Sequence, residues 1–205
     1  MWNQKFDRDV YFYGIKPNAF IKEQCETMHL KDAHVLCLGE GEGRNALFFA
    51  QKEADVVALD ASDIGLAKAL HLCKESGYHI SAMHQDLEQW EPVCSFYDVI
   101  VASYVHLPEP LRTRTFANVV ATLKPRGIFV AEYFSKKQLN YGSGGPKMPE
   151  LLYDVEELQK ILEPLDAKIE MLEETITTLD EGTGHQGEAS VIRVKLVKDT
   201  VKKGC

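Results

Sequence analysis

Residues 34–43 read His-Val-Leu-Cys-Leu-Gly-Glu-Gly-Glu-Gly. An apolar run stops at Gly39, and Gly41 and Gly43 follow at alternate positions. A short apolar run bounded by glycine predicts a strand buried on both faces, over 34–39. The glycines beyond it permit a tight turn and let a ligand approach the backbone. Residues 44–52 then put Ala46, Phe49 and Ala50 on one helical face. A strand, a glycine turn and a helix in this order leave free backbone N–H groups at the helix start, facing the turn.

Outward from this unit the pattern repeats. Residues 55–60 (Asp-Val-Val-Ala-Leu-Asp) predict a second strand. Ser62 is a helix N-cap, Ile64, Ala67 and Leu70 give a helical face, and Gly77 follows its end. Residues 78–85 predict a more polar strand, and 97–104 predict another, rich in Val, Ile and Ala. Pro108 or Pro110 opens a helix that runs to about Leu123. Lys124-Pro125-Arg126-Gly127 reads as a turn before a strand over 128–134. Alternating strands and helices predict a parallel sheet with helices on both faces.

The pattern changes after residue 135. Gly142, Gly144, Gly145, Pro146 and Pro149 make 140–149 a loop, and 153–162 a helix follows. Residues 168–179 and 189–197 predict two long strands joined by Glu181-Gly182-Thr183-Gly184, an antiparallel hairpin. One domain over 1–205 is expected. Its parts are an aromatic lid within 1–30 that includes a helix over 18–28, a ligand-binding core over 34–134, and the loop, helix and hairpin of 135–205.

Composition narrows the function. The 205 residues are 45% hydrophobic and 26% charged, with a net charge of −8. The basic clusters are Lys136-Lys137 and Lys202-Lys203, so a nucleic-acid partner is disfavoured. No apolar run approaches the roughly 18 residues of a membrane span. The N-terminus lacks an apolar signal core, so a cytoplasmic protein with no membrane partner is expected. The five cysteines include no CxxC pair, which argues against a disulfide framework or a zinc site. Cys37 reads as a small buried hydrophobe.

Two carboxylates complete the pattern. Asp60 ends the second strand, where it can accept from both hydroxyls of a ribose. Asp86, within Gln85-Asp86-Leu87, follows the third strand and can accept from the amine of an adenine. Each has a plainer role as a strand-ending turn residue.

At this point the chain resembles the class I S-adenosylmethionine-dependent methyltransferases over about 34–197. Val35 to Gly43 match their first motif, and the Leu-Lys-Pro-Arg-Gly turn and the terminal hairpin match as well. Gly43-Arg44-Asn45, Tyr13-Gly14-Ile15-Lys16-Pro17, Gly142-Ser143-Gly144-Gly145-Pro146 and His185-Gln186-Gly187 resemble bacterial members of the tellurite-resistance type. The resemblance implies a Rossmann-like, seven-stranded, mostly parallel α/β sheet with a C-terminal antiparallel hairpin. It also implies S-adenosylmethionine as cofactor and S-adenosylhomocysteine as product. The expected cofactor residues are Gly39, Glu40, Gly41, Glu42, Gly43, Asn45, Asp60, Ala61, Asp86, Leu87 and Ser103. One position departs from the family: Cys37 stands where the motif carries an acid, and Glu40 or Glu42 is expected to replace it.

The methyl acceptor is expected beyond the C-terminal strand ends. His106 is the first candidate base, because imidazole titrates near neutral pH; Tyr104 and His185 are the other catalytic candidates. Tyr11, Phe12 and Tyr13, the Gly144 loop, Tyr133 and Phe134 are expected to cover or contact the acceptor. No metal is called for. The lack of an Asn-Pro-Pro-Tyr element argues against amine methylation of bases or glutamines, and the subgroup resemblance points to a thiol or to a tellurium or selenium oxyanion. Three alternatives stand beside a small-molecule methyltransferase, which would be a monomer or homodimer. They are a nicotinamide oxidoreductase using Gly41-x-Gly43-x-x-Ala46 with Asp60, a S-adenosylmethionine-binding sensor or scaffold without turnover, and a protein or RNA methyltransferase.

Overall fold

The structure, a computed structural model, describes residues 2–200. Lys202, Lys203 and Cys205 lie outside the described residues. In chain order the elements are α1 (Trp2–Phe6), α2 (Ala19–Cys25), β1 (His34–Leu38), α3 (Arg44–Ala50), β2 (Asp55–Asp60), α4 (Asp63–Glu75), β3 (Ser81–His84), β4 (Tyr97–Ser103), α5 (Leu111–Thr122), β5 (Leu123–Phe134), α6 (Val155–Leu162), β6 (Ala167–Glu181) and β7 (His185–Lys198). Two short 3-10 turns, Lys136–Asn140 and Pro149–Leu151, lie between β5 and α6.

The strands form one seven-stranded sheet in the order β3-β2-β1-β4-β5-β7-β6. β1 to β5 run parallel, and β7 inserts antiparallel between β5 and β6. β1 lies between β2 and β4, with Cys37 opposite Ala58 and Val101. Alternation along it feeds both cores. Val35 and Cys37 pack with Phe20, Ile21 and Phe49 of α2 and α3 on one face. Leu36 and Leu38 pack with Phe116, Val119 and Leu158 of α5 and α6 on the other. This double burial is why 34–38 reads as an unbroken apolar run.

Caps fix where the helices begin. The Ser62 hydroxyl accepts from the Gly65 amide at 3.0 Å, as the sequence predicts for α4. Asn18 caps α2 through Ile21, and Asp154 caps α6 through Glu156 and Glu157. Tyr153, read as helical, instead bridges in parallel to Ser135.

The structure departs from the sequence reading in three further places. Leu123–Phe134 is a single strand, and Lys124 to Gly127 form a bulge within it: pairing jumps from Tyr97↔Leu123 to Val99↔Ile128, with Arg126 at φ 67°. β3 is only Ser81–His84, exposed throughout, as suits an edge strand. The hairpin strands extend to Glu181 and from His185, which leaves 182–184 as the turn. Among the described residues no helix is long and apolar enough to cross a membrane.

Gly43 locks the first unit to its neighbour. It caps α3 at φ 95°, and a Cβ there would lie 2.6 Å from Cα of Ala69 on α4. Gly43→Ala therefore meets both a left-handed backbone and a backbone clash. The expected loss is about 2–4 kcal/mol in urea unfolding; a loss under about 0.5 kcal/mol would show that the two helices separate freely.

Candidate functional site

A cavity of about 320 Å³ opens at the C-terminal ends of β1, β2 and β4. Gly39 and Gly41 form its floor, both left-handed at φ 58° and 62°. Asp60, Ala61, Asp86 and Leu87 line one end. Ser103, Tyr104, His106 and His185 line the other, and Trp2, Phe6 and Tyr13 close it from above.

The floor is held by two carboxylates. Asp60 Oδ2 accepts from the Gly41 amide at 2.8 Å, and Oδ1 accepts from Ser62 at 2.7 Å. Burial raises the Asp60 carboxyl, against the pull of these amides. Glu40 Oε1 accepts from the amides of Asn45 and Ala46, each at 2.8 Å. It thereby caps α3, whose N-cap Gly43 has no side chain to do so. Burial pushes the Glu40 carboxyl up to about 7, although those amides and Arg44 oppose the shift. The Cys37 thiol beside Glu40 is raised well above its usual range by burial and then by Glu40. Of the two acids expected to replace the one missing at Cys37, Glu40 therefore holds the loop. Glu42 points away from the cavity, to Lys68 and the Phe12 amide. Asp86 is exposed, with Oδ1 accepting from the Glu88 amide.

Asn45 and Gly43 lie behind the lining rather than in it. The Asn45 Nδ2 group donates to Ser103 Oγ at 3.0 Å, and its Oδ1 accepts from the Asn18 amide at 2.9 Å.

His106 lines the cavity but is not a free base. Its Nδ1 donates to the Leu151 carbonyl at 2.8 Å, and its Nε2 accepts from the Phe134 amide at 3.3 Å. Burial lowers the imidazole to about 3, so both nitrogens of a neutral ring are already committed. Tyr133 is a second correction. Strand alternation turns it into the core against Phe116 and Tyr153, away from the cavity. Tyr11 is a third: it packs beside Leu47 and Leu72 outside the cavity, under the Lys68 ammonium.

His185 is arranged differently from His106. Its Nδ1 lies 2.9 Å from Glu181 Oε2, and among the described residues nothing hydrogen-bonds Nε2. Burial lowers the imidazole, and Glu181 partly opposes that. His185 and Arg44 together hold the Glu181 carboxyl below its usual range despite burial. Tyr13 and Tyr104 flank the ring at 4.4 and 4.5 Å. Gly144 abuts its edge, where a Cβ would come within 2.6 Å of Cδ2.

Three residues escaped the sequence reading. The buried Arg44 guanidinium lies 2.9 Å from Glu181 Oε1 and lines the cavity. Glu132, buried at the end of β5, accepts from Tyr104 Oη and Asn18 Nδ2 at 2.8 Å each and from Arg193 Nε at 2.9 Å. Tyr104 itself sits at φ 56°, a strained conformation for a tyrosine. Arg44 had a signal in Gly43-Arg44-Asn45; Glu132 had none, because its partners are remote in the chain, and of Glu181's partners only His185 is near in sequence.

Residues 35–127 match a family model described as a methyltransferase domain. That segment, a little under half of the chain, is similar to a methyltransferase domain. Methyltransferases of this kind take S-adenosylmethionine as methyl donor. No curated protein sequence matches the chain. Among solved structures it is similar to one concerned with the conversion of a disulfide bond into a thioacetal group during echinomycin biosynthesis (TM-score 0.74, 16% identity, covering 96% of this chain and 87% of that one). It is also similar to TehB from Haemophilus influenzae (TM-score 0.69, 17% identity, 97% and 66%). A SAM-dependent methyltransferase from Aquifex aeolicus compares at TM-score 0.66, with 16% identity over 95% and 96% of the chains. At these identities the likeness is one of fold. The matched segment contains the glycine floor, Asp60 and Asp86, while His185 and Glu181 lie beyond it.

The Glu40 environment predicts a pH effect. Its folded value of about 7 lies above the ordinary 4.5, so the fold favours the protonated form. That contribution is complete below pH 4.5 and is lost as pH rises through 7. Glu40→Gln removes it. Stability of the wild type relative to Glu40→Gln should fall between pH 5 and pH 8; a constant difference across that range would contradict this environment.

Proposed function

We propose that the protein is a cytoplasmic, single-domain methyltransferase that moves the methyl group of S-adenosylmethionine to a small, soft nucleophile such as a thiol or a tellurium or selenium oxyanion. The observation that carries the reading is the make-up of the cavity at the strand ends. It has ribose- and adenine-type acceptors at one end and a buried Glu181–His185 pair at the other.

The residues present fit the cofactor. Asp60 is committed to two amides through separate oxygens and keeps lone pairs for ribose hydroxyls. Asp86 and Leu87 line the same end and suit the adenine amine and ring. A floor of Gly39 and Gly41 leaves room for the methionine portion, with the Glu40 carboxyl beside it for the ammonium. Bound there, S-adenosylmethionine supplies an electrophilic methyl group on a sulfonium.

The chain then has three tasks. Trp2, Phe6 and Tyr13 cover the cavity and exclude water. The walls align the acceptor with the methyl group, and positioning of this kind supplies roughly 7–11 kcal/mol. Where the acceptor is a thiol, His185 takes its proton at Nε2, and the resulting imidazolium is stabilised by Glu181 through Nδ1–H. With the cofactor bound there, the thiolate sulfur would take its methyl group, and His185 would hold the proton released from the thiol. A deprotonated oxyanion needs no such base, and Arg44 offers it positive charge. A small acceptor suits a cavity of about 320 Å³ that the cofactor must share.

Calorimetric titration with S-adenosylmethionine and S-adenosylhomocysteine tests the cofactor half. Both should bind, and Asp60→Ala should weaken both by about ten- to hundredfold, the worth of about 1.5–3 kcal/mol of charge-assisted hydrogen bonding. No binding of either ligand to the folded wild type would refute the assignment. Turnover of a panel of thiols, selenite and tellurite tests the acceptor half. With a thiol, His185→Gln should lower kcat by about 10²–10⁴-fold and leave cofactor affinity near wild type. Because His185 titrates below the ordinary histidine range, thiol turnover should stay level from pH 7.5 to 6.5 in its dependence on this group. A fall already centred near pH 7 would assign the base elsewhere.

A further inference from the structure

Glu42 stands in the cofactor motif by sequence but serves another segment. It is 4% exposed. Its Oε1 lies 2.5 Å from Lys68 Nζ of α4, and its Oε2 accepts from the amides of Phe12 at 2.7 Å and Tyr13 at 3.4 Å. Lys68 Nζ in turn donates to the carbonyls of Phe6, Arg8 and Val10 at 3.4, 3.0 and 2.7 Å. One buried ion pair thus grips the backbone of 6–13 from both sides of its charge.

The same segment is held at its far side by the hairpin turn. The Phe12 carbonyl accepts from Thr183 at 2.9 Å and Gly184 at 3.0 Å. A Cβ on Gly182 would lie 2.4 Å from that carbonyl oxygen, so the two backbones meet at a distance only glycine allows. Phe6 nests above Gly41 and Gly65, each within 3.0 Å of a would-be Cβ. The remaining ties are side-chain ones: Asn3 bonds Asp63 and Ser62, Phe6 is buried, Tyr11 packs beside Leu47 and Leu72, and Tyr13 lies against His185. α1 has five residues, too few to be stable alone, and Trp2 and Val10 are exposed.

We propose that Glu42 and Lys68 are positioning residues that clamp residues 2–13 over the bound cofactor and set the rate at which the cofactor product leaves. The proposal rests on the cofactor reading of the cavity given above. Phe6 and Tyr13 line that cavity, so a cofactor-sized molecule leaves only when the segment lifts. Lifting it breaks the bonds of Glu42 to the Phe12 and Tyr13 amides and those of Lys68 to the Phe6, Arg8 and Val10 carbonyls in one event. Because Phe12 also bonds the hairpin turn, that event loosens the turn next to His185.

The test uses the full chain with S-adenosylhomocysteine as probe. Its release is followed by stopped-flow tryptophan fluorescence in the wild type, Lys68→Arg, Glu42→Gln and the double variant Glu42→Gln/Lys68→Met. The double variant avoids the uncompensated buried charge that a single deletion at Lys68 would leave. Should it not fold, Glu42→Gln decides, since it keeps an acceptor oxygen for Phe12. The expected result is release at least about tenfold faster in Glu42→Gln and in the double variant, with Lys68→Arg close to wild type. Trypsin cleavage after Lys5 and Arg8 gives a second readout: S-adenosylhomocysteine should protect both bonds in the wild type and not in the double variant. Unchanged release and unchanged protection in a folded variant, even with lower thermal stability, would make the pair merely structural and overturn the proposal. A wild type that binds no S-adenosylhomocysteine would overturn the cofactor reading and this proposal with it, so the two failures are distinct.

Discussion

The hydrogen bond from the Gly41 amide to Asp60 is the constraint on which the site depends. A run of alternating glycines has no side chains with which to fix its own shape, and Gly39, Gly41 and Gly43 all occupy left-handed conformations. The 2.8 Å bond to Asp60 ties the run to the end of β2. β2 in turn is fixed by its register against β1. The glycine floor, the acidic wall and the first two strands therefore form one rigid object. Its rigidity comes from sheet pairing, not from the loop.

Cys37 shows how a fold accommodates a missing motif acid. A carboxylate at that strand position would reach the loop directly, whereas cysteine offers only a buried thiol. Glu40 supplies the carboxylate from within the loop and spends it on the first amides of α3. The cost is desolvation, visible in its raised titration. Glu42, two residues on, projects to the opposite side of the loop. The alternation that makes these two acids look equivalent in sequence is what sends them to different partners.

Much of the fold was legible because each strand of the core carries its own local signal. The apolar run at 34–38, Ser62 before α4 and the glycine turn at 182–184 need no knowledge of distant residues. What the sequence hid was decided across the sheet. Tyr133 and Phe134 are adjacent and alike, yet pairing of β5 with β4 and β7 turns one into the core and the other toward Tyr104. Lys124 to Gly127 carry every mark of a turn, but flanking pairs keep them in the strand as a bulge. His106 resembles a free base until the carbonyl of Leu151 and the amide of Phe134 are seen to occupy both nitrogens. Glu132 and Glu181 became readable only once Asn18, Arg44 and Arg193 had been brought to them.

The reversed direction of β7 has a consequence of its own. A parallel strand delivers its last residue to the cavity end of the sheet, but β7 delivers its first, His185. The 182–184 turn therefore lies at the cavity end of the sheet, carried by its two longest strands and bonded to the Phe12 carbonyl. Lengthening or recolouring that edge leaves every parallel register untouched. A change at that edge therefore reaches the Phe12 carbonyl, and with it the segment over the cavity, before it reaches any parallel strand.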